Sequence, residues 1–205
     1  MAMHIAIAGN IGAGKTTLTN LLARHYDWDM QLEDMDDNPY ISDFYEDMQR
    51  WSFNLQVYFL NTRWKHIQEI RKGSKTVIQD RTIYEDAHIF APNLHAMGLM
   101  STRDFENYSR LFESINEQIQ APDLLIYLRA GIPKLVHQIQ MRGRDYEDAI
   151  RLDYLKRLNE RYEAWISDYK GKLLIFNVDD INFEENPDHA AEIIQQVEST
   201  LNGLF

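Results

Sequence analysis

The sequence contains no cysteine, which excludes disulfide bonds, thiolate nucleophiles and thiolate metal sites. Long hydrophobic runs are also missing: the longest, such as Leu124 to Leu128, are far shorter than the roughly 20 residues of a membrane-spanning helix. The first apolar run turns into Gly9-Asn10 too early for a secretory signal peptide. Together these absences predict a cytoplasmic protein.

Basic residues are scarce as well. The chain has 32 Asp and Glu residues against 21 Lys and Arg residues, a formal net charge of −11. Such a surface offers no general positive field to a polyanion, so neither a nucleic acid polymer nor an anionic membrane is an expected partner. A local basic pocket for a small anion is still compatible with this composition.

Glycine and proline are few and scattered, with nine and five copies, so no stretch is typical of an interdomain linker. Hydrophobic residues make up 44% of the chain and charged residues 26%, which is the usage of a folded globular protein. At roughly 100 to 200 residues per domain, the length fits one large domain or two small ones. We expect one domain over residues 1–205.

Short apolar runs alternate with longer segments of helical periodicity. The runs predict buried parallel strands at His4 to Ala8, Val77 to Ile78, Leu124 to Leu128 and Leu173 to Val178, with a further short strand at Met30 to Leu32. The helical segments are Thr16 to Tyr26, Trp51 to Arg71, Tyr84 to Met97, Arg103 to Gln120, Pro133 to Met141, Ile150 to Tyr169 and His189 to Leu201. This alternation predicts an α/β fold with a parallel five-stranded sheet and helices on both faces.

A glycine-rich motif lies between the first predicted strand and the first predicted helix. The pattern G-x-x-x-x-G-K-[ST] is matched by Gly9, Asn10, Ile11, Gly12, Ala13, Gly14, Lys15 and Thr16. Glycines let the backbone bend around an anion, so that loop amides and the helix N-terminus point at phosphates. Lys15 would reach the outer phosphates, and the Thr16 hydroxyl would ligate magnesium. The motif predicts a P-loop NTPase-type fold that binds a nucleotide.

Charged residues follow two other predicted strands, Glu33 after the short one and Asp80-Arg81 after Val77 to Ile78. Ligands of open parallel sheets bind outside the carboxyl ends of the strands, so we expect these residues and Lys15 around one crevice. Phosphoryl transfer needs a metal ligand, a cation and a residue that orients the nucleophile, and this set contains all three. The alternative for Asp80 and Arg81 is an ordinary solvated ion pair.

A third charged segment, Arg142-Gly143-Arg144, lies between two predicted helices. Residues two apart point to different sides of a helix, so the chain must bend at Gly143 if both arginines are to meet one phosphate. A lid at about residues 142–150 would bring these cations over the nucleotide and exclude water. The alternative is a basic helix C-terminus that complements the helix dipole.

Together these residues resemble the deoxynucleoside kinase family, whose members transfer the γ-phosphate of ATP to the 5′-hydroxyl of a deoxynucleoside. The resemblance covers nearly the whole chain and rests on four motifs in order: Gly9 to Thr17, Phe44-Tyr45-Glu46 with Trp51 to Gln56, Asp80 to Asp86, and Arg142 to Glu147. Asp80-Arg81-Thr82 is most similar to the bacterial purine deoxynucleoside kinases, because animal members carry Glu-Arg-Ser there. The resemblance implies nucleotide salvage with ATP and Mg²⁺ as cofactors.

The resemblance also implies catalytic roles for individual residues. Glu33 matches the general base toward the 5′-hydroxyl, Arg81 the arginine beside it, and Asp80 the acidic residue near magnesium, while Lys15 contacts the transferred phosphate. The residues implied to hold ATP are those of the glycine-rich motif with Thr17 and the two lid arginines, Arg142 and Arg144. One departure is that Glu33 is followed by Asp34, where the family usually has proline. Another is Gln138, which stands where animal members have a further lid arginine.

The acceptor site is implied in the same way. Tyr45 and Glu147 match the pair that holds the sugar 3′-hydroxyl, Gln56 the glutamine on the base edge, and Arg63 with Asp86 the charged pair that reads the rest of that edge. Gln56 and Arg63 are seven residues apart, so they share one face of the predicted helix. A glutamine amide complements adenine's amine and ring nitrogen. We expect deoxyadenosine as the main acceptor, deoxyguanosine or deoxycytidine as secondary acceptors, and rejection of thymidine.

Two other functions are alternatives. A nucleoside monophosphate kinase of the thymidylate type would need additional cations for its dianionic acceptor, and Tyr45 with Glu147 argues against it. The other alternative is a non-catalytic P-loop nucleotide switch or binding module; a GTP-binding switch would need an Asn-Lys-x-Asp guanine reader, and the sequence contains no Asn-Lys. The resemblance further implies a homodimer, for which Trp51 to Arg71 and Arg103 to Gln120 are candidate interface helices.

Overall fold

A computed structural model describes residues 2–33, 38–144, 147 and 150–203. Its sheet has five parallel strands in the order β2-β3-β1-β4-β5, and the prediction of a parallel five-stranded sheet is confirmed. The strands are β1 His4–Gly9, β2 Asp29–Gln31, β3 Val77–Asp80, β4 Leu124–Arg129 and β5 Leu173–Asn177. Each predicted strand is present, including the short one.

Helices connect the strands. Those in the described residues are α1 Lys15–Tyr26, α2 Ile41–Glu46, α3 Met48–Lys72, α4 Ile83–Glu85, α5 Ala91–Ala96, α6 Thr102–Asn116, α7 Ile132–Arg142, α8 Leu152–Asp168 and α9 Pro187–Leu201. The sequence analysis does not predict α2, because six residues are too few to show helical periodicity. Of the helices in the described ranges, none is both long and apolar enough to cross a membrane.

Both faces of the sheet are buried, as the alternation along β1 shows. Ile5 and Ile7 point to one face and join a hydrophobic cluster with α1, α7 and α9. Ala6 and Ala8 point to the other face and join a cluster with α3, α6 and α8. Successive side chains of a strand point to opposite faces, so a continuous apolar run is required when helices cover both. The predicted two-sided packing is therefore confirmed.

The segment after β3 winds continuously through α4, a π-helix over Asp86–Phe90, and α5. The Ala91 N–H donates to the Asp86 carbonyl, five residues earlier. Pro92 follows; proline has no N–H, and in an α-helix its ring would collide with the carbonyl four residues before it. The wider π turn relieves that collision. It also buries Asp86 and Phe90, one at each end of the turn.

Candidate active site

A cavity of about 500 Å³ opens at the carboxyl ends of β1, β2 and β3. The sequence-predicted residues that line it are Ile11, Gly12, Gly14, Lys15, Thr16, Thr17, Glu33, Tyr45, Gln56, Asp80, Arg81, Asp86, Arg142, Arg144 and Glu147. The structure therefore brings together residues that lie far apart in the sequence. Gly9, Asn10 and Ala13 complete the loop at one wall, and Arg63 lies behind Glu33 and Asp86, where it contacts both.

The loop Gly9–Thr16, here called the phosphate loop, joins β1 directly to α1. Gly12 and Gly14 have φ angles of 84° and 90°, in the left-handed region that favours glycine. A Cβ atom on Gly12 would also lie only 2.8 Å from the Leu135 carbonyl oxygen, so no larger residue fits. The backbone amides at the start of α1 have no preceding helical turn to bond, which leaves them available to an anion.

Lys15, the first residue of α1, is 7% exposed, and its Nζ donates to the Asn10 carbonyl at 3.1 Å. Burial and then the positive charge of Arg81 lower the pKa of Lys15 to about 8. A bound phosphate would oppose both effects, because a nearby negative charge favours the protonated amine. The Lys15 amine is thus placed where a bound phosphate would favour its protonated, positively charged form.

Thr16 and Asp80 meet at the open side of the phosphate loop. The Thr16 hydroxyl donates to Asp80 Oδ2 at 2.5 Å, while Asp80 Oδ1 is buried and has no hydrogen-bond partner in the described part of the chain. Within the described ranges, no group of three or more His, Asp or Glu side chains could hold a metal alone. Mg²⁺ commonly takes one or two protein oxygens together with substrate phosphates and water. The free oxygen of Asp80 beside the Thr16 hydroxyl fits such a site.

Glu33 lies just past β2 and contacts two arginines. Its Oε1 accepts from Arg63 Nη2 at 2.7 Å, and its Oε2 lies 3.6 Å from Arg81 Nε. Arg63 also forms an ion pair with Asp86, with Nε and Oδ2 2.5 Å apart. Arg63 is 1% exposed, so this chain of charges is buried and each member depends on its partner.

Glu33 and Asp86, the two carboxylates that contact Arg63, have pKa values shifted in opposite directions. Burial would raise the pKa of Glu33, but Arg81, Arg63 and Lys15 outweigh it and lower the pKa to about 2. Burial raises the pKa of Asp86 to about 7, against the opposing charges of Arg63 and Arg81. At neutral pH Glu33 is therefore an ionised hydrogen-bond acceptor, whereas burial makes Asp86 easier to protonate than an exposed aspartate.

Arg81 has a strained backbone. Its φ is 68°, which is uncommon for a residue with a Cβ. Its N–H donates to the Ile7 carbonyl at 2.9 Å, and its guanidinium lies 4.4 Å above the Phe90 ring centroid. Strain of this kind persists only where the surroundings over-determine the conformation, and it clusters at functional sites. The bend turns the guanidinium away from the direction of β3 and into the cavity.

One face of α3 forms the far wall of the cavity. Gln56 is 2% exposed, and its Oε1 has no hydrogen-bond partner in the described residues. Phe59 and Arg63 follow it at helical spacing, with the Arg63 guanidinium 5.0 Å from the Phe59 ring centroid. Apolar side chains complete this wall: Ile41, Phe44, Leu55, Phe59, Phe90 and Tyr154. A flat ligand with a polar edge matches such a slot.

Glu147 closes the cavity from the predicted lid. Arg142 forms a bidentate pair with it, which includes Nε to Oε2 at 3.0 Å, and Arg144 Nη1 lies 3.7 Å from Oε1. Gly143, with a φ of 63°, ends α7, which is where the sequence requires the backbone to bend. Residues 145, 146, 148 and 149 of the predicted lid lie outside the described residues.

Two parts of this region leave little or no local signal in the sequence. Glu85 is fully buried beneath the phosphate loop, and only the capping-box spacing Thr82-x-x-Glu85 signals that it is special. A second, smaller cleft of about 40 Å³ lies on the other side of the phosphate loop, where Lys134 and Phe183 contribute to its wall. The residues of that cleft come from three separate segments, so no local pattern reveals it.

Known proteins resemble this chain over nearly its whole length. The family model for deoxynucleoside kinases matches residues 5–202. A deoxyadenosine/deoxycytidine kinase of Bacillus subtilis is 37% identical over 202 residues, which cover 97% of this chain and 93% of that protein. A deoxyguanosine kinase of the same organism is 34% identical over 170 residues, which cover 80% of this chain and 79% of that protein. The solved structure of deoxyadenosine kinase from M. mycoides with bound dATP has a TM-score of 0.85 and 26% identity, and the match covers 96% of this chain and 100% of that one.

Proposed function

Since the chain belongs to the deoxynucleoside kinase family, and is therefore an ATP-dependent kinase of deoxynucleosides, we propose that deoxyadenosine is its main acceptor and that the cavity residues described above carry out the transfer. The observation that carries this proposal is Gln56, a buried glutamine with an unpartnered acceptor, in the same cavity as the phosphate loop and Glu33. One wall suits phosphates, the opposite wall suits a nucleobase, and a carboxylate lies between them.

On the phosphate side, the loop amides and Lys15 bind the donor and meet the charge that develops on the transferred group. Arg142 and Arg144 are the lid cations assigned to the same phosphates, and in this structure both pair with Glu147. Phosphoryl transfer needs little covalent chemistry from the protein, so positioning and charge account for most of the rate.

Glu33 accepts the proton of the 5′-hydroxyl, and Arg81 lies beside Glu33 and the hydroxyl. A carboxylate whose pKa is about 2 is a weak base. That weakness is acceptable because the loose transition state of phosphoryl transfer asks for little basicity. Glu33 therefore orients the hydroxyl and takes its proton as the new P–O bond forms.

Mg²⁺ is part of the proposal through Thr16 and Asp80. When bound there it neutralises charge on the donor phosphates. Thr16 supplies a hydroxyl oxygen, and Asp80 supplies the buried Oδ1 that has no partner in the described residues. Asp80 also keeps the Thr16 side chain oriented through their hydrogen bond.

On the acceptor side, Tyr45 and Glu147 line the cavity together and hold the sugar 3′-hydroxyl. Glu147 also pairs with Arg142, so its carboxylate contacts both the sugar and a lid arginine. Gln56 and Asp86 face the nucleobase, with Gln56 pairing to adenine's ring nitrogen and amine. Arg63 acts from behind Asp86, because it is buried and does not itself line the cavity.

We expect the protein to phosphorylate deoxyadenosine efficiently and thymidine at least about tenfold less well in kcat/KM, since 1.4 kcal/mol already gives that factor. Thymine presents a carbonyl and an imide donor where adenine presents an amine and a ring acceptor, so it leaves a buried group unpaired. Steady-state kinetics with ATP, Mg²⁺ and each of four deoxynucleosides, and then with their monophosphates, measures this. Efficient use of thymidine would contradict the base-site assignment, and a preference for monophosphates would contradict the acceptor class.

A Gln56→Leu variant should raise KM for deoxyadenosine by about tenfold or more, because it removes hydrogen bonds of about 1–3 kcal/mol from the base edge. Gln68→Leu, on the same helix and outside the cavity, is the matched control and should leave KM unchanged. Gln56 is a cleaner target than the pair of Arg63 and Asp86, because Arg63 also holds Glu33. An unchanged KM for Gln56→Leu would place the base elsewhere.

The wider organisation is also proposed. Residues 1–205 form one domain with a lid at about 142–150, and the substrates expected for this chain suit the cytoplasm. We further propose a homodimer built on α3 and α6, which lie side by side, with Leu111 of α6 41% exposed. Light scattering should then give a mass of twice the 24.2 kDa chain, and a mass of one chain at micromolar concentration would exclude the dimer.

A further inference from the structure

Glu85 is a charged residue that the proposed reaction does not use, although it lies close to the site. It is fully buried at the end of α4. Its Oε1 accepts from the Gly9 N–H at 3.3 Å and from the Tyr162 hydroxyl at 2.8 Å, and its Oε2 accepts from the Thr82 N–H at 2.7 Å. Buried carboxylates are costly unless they are fully paired, so this one serves a purpose that an apolar side chain would not.

The three donors belong to three separate parts of the fold. Gly9 is the first residue of the phosphate loop, Thr82 directly follows Arg81, and Tyr162 lies in the middle of α8. All three groups donate, and the two oxygens of the Glu85 side chain accept from all of them, although burial raises the pKa of Glu85. One side chain thus joins the donor-binding loop to the segment that carries Asp80 and Arg81.

The bond to Thr82 bears on the strained backbone of Arg81. The Arg81 N–H is held by the Ile7 carbonyl, and the next N–H along the chain is held by Glu85. The peptide groups on both sides of the left-handed Arg81 are therefore fixed, one to β1 and the other to Glu85. A strained φ of this kind needs such over-determination to persist.

We propose that Glu85 is a positioning residue that fixes the phosphate loop and Arg81 relative to each other during phosphoryl transfer. The inference rests on the proposed roles of Lys15 and Arg81, and Lys15→Ala tests the first of these independently. A misplacement of about 1 Å between reacting groups can cost about 100-fold in rate, so loosening this link should reduce kcat. Within the described residues the hydrogen bonds of Glu85 go to Gly9, Thr82 and Tyr162, so the acceptor side, with Gln56, should bind as before.

Glu85→Gln keeps the size of the side chain but turns one acceptor into a donor. Its amide nitrogen would face either the Thr82 N–H or the Gly9 N–H, so at least one backbone bond of the site is lost. Tyr162→Phe is milder, because it removes one donor from Oε1 and leaves both backbone bonds. We expect kcat to fall about 10- to 100-fold in Glu85→Gln and about 3- to 10-fold in Tyr162→Phe. The KM for the deoxynucleoside should stay within about twofold of the parent value in both, because the base and sugar contacts are intact.

Tyr127→Phe is the matched control for Tyr162→Phe. The two rings stack with centroids 5.8 Å apart, both are buried, and each hydroxyl donates to a glutamate, in the case of Tyr127 to Glu163 at 3.0 Å. Glu163 lies outside the cavity, so Tyr127→Phe should lower the melting temperature without changing kcat.

Kinetics of the three variants, with whichever deoxynucleoside the parent uses best, and their melting temperatures test the proposal. A kcat in Tyr162→Phe equal to that of Tyr127→Phe would show that Glu85 is only structural. A kcat in folded Glu85→Gln within about twofold of the parent would show the same. If Glu85→Gln does not fold, the comparison of the two tyrosine variants decides.

Discussion

Lys15→Ala should reduce kcat by about 10²- to 10⁴-fold while the protein stays folded. The lysine supplies positive charge that matters more as the transferred group becomes metaphosphate-like, so its loss raises the barrier more than it weakens binding. Folding should survive because the buried amine contributes little to the stability of the fold. Burial lowers its pKa to about 8, and its hydrogen bond is to a single carbonyl of the phosphate loop.

Turnover of Lys15→Ala at saturating ATP and deoxynucleoside, together with its circular dichroism, measures this effect. Lys75→Ala is the control, because Lys75 is exposed and forms only a surface ion pair with Asp29 at 3.6 Å. It should keep the parent kcat. Near-normal turnover in folded Lys15→Ala would show that Gly9–Thr16 is not where the donor phosphates bind.

Glu33→Gln should reduce kcat by about 10²- to 10⁴-fold with little change in nucleoside binding. The substitution keeps the shape of the side chain but removes its ability to take the 5′-hydroxyl proton. It also leaves the buried Arg63 with Asp86 as its remaining carboxylate partner in the described part of the chain, because a glutamine oxygen can still accept from Arg63 but carries no charge.

Glu163→Gln is the matched control for this variant. Glu163 also pairs with an arginine, Arg129 at 2.7 Å, but it lies outside the cavity, so its kcat should equal that of the parent. If Glu33→Gln changes only KM, Glu33 positions the substrate and Asp80 becomes the better candidate for the base.

The pH dependence gives a separate check on Glu33. Its pKa is lowered to about 2, so the carboxylate stays ionised as the pH falls and is protonated only near pH 2. The kcat/KM profile of the parent should therefore show no loss attributable to Glu33 between about pH 7 and pH 4. If kcat/KM does fall in that range, and the fall disappears when Asp86 is substituted, the fall is due to Asp86, whose pKa is raised to about 7.

The parts of the fold that follow from local patterns are predictable from the sequence. The strands buried on both faces appear as apolar runs, and the phosphate loop appears as a contiguous motif between a strand and a helix. The strand-end rule then places Glu33 and Arg81 near Lys15, as the structure finds. These predictions succeed because each depends on neighbours in the chain or on the topology of a parallel sheet.

Other features depend on residues far apart in the chain and leave no local signal. The strand β3 extends to Asp80 through Gln79, and these polar residues are buried at 3% and 1% exposure, so hydropathy alone ends the strand too early. The contact between Arg63 and Glu33 joins residues 30 apart, and Glu85 bonds to residues 76 and 77 positions away. The family resemblance assigns Arg63 to the nucleobase, whereas its geometry links the nucleobase wall to Glu33.

The π-helix over Asp86–Phe90 makes this segment a spacer of fixed length. Removing one residue would restore an α-helical turn and change the position of Phe90 relative to Asp86, because the π-helix holds one residue more between hydrogen-bonded peptides. Phe90 would then leave the Arg81 guanidinium, which now lies 4.4 Å above its ring, and the ring of Pro92 would meet a carbonyl. Side chains in the segment can be exchanged within the limits of packing, but its residue count cannot be changed without moving Asp86 relative to Phe90. The position of Phe90 against Arg81 and that of Asp86 at the cavity are thus fixed relative to each other by a count of residues as well as by contacts.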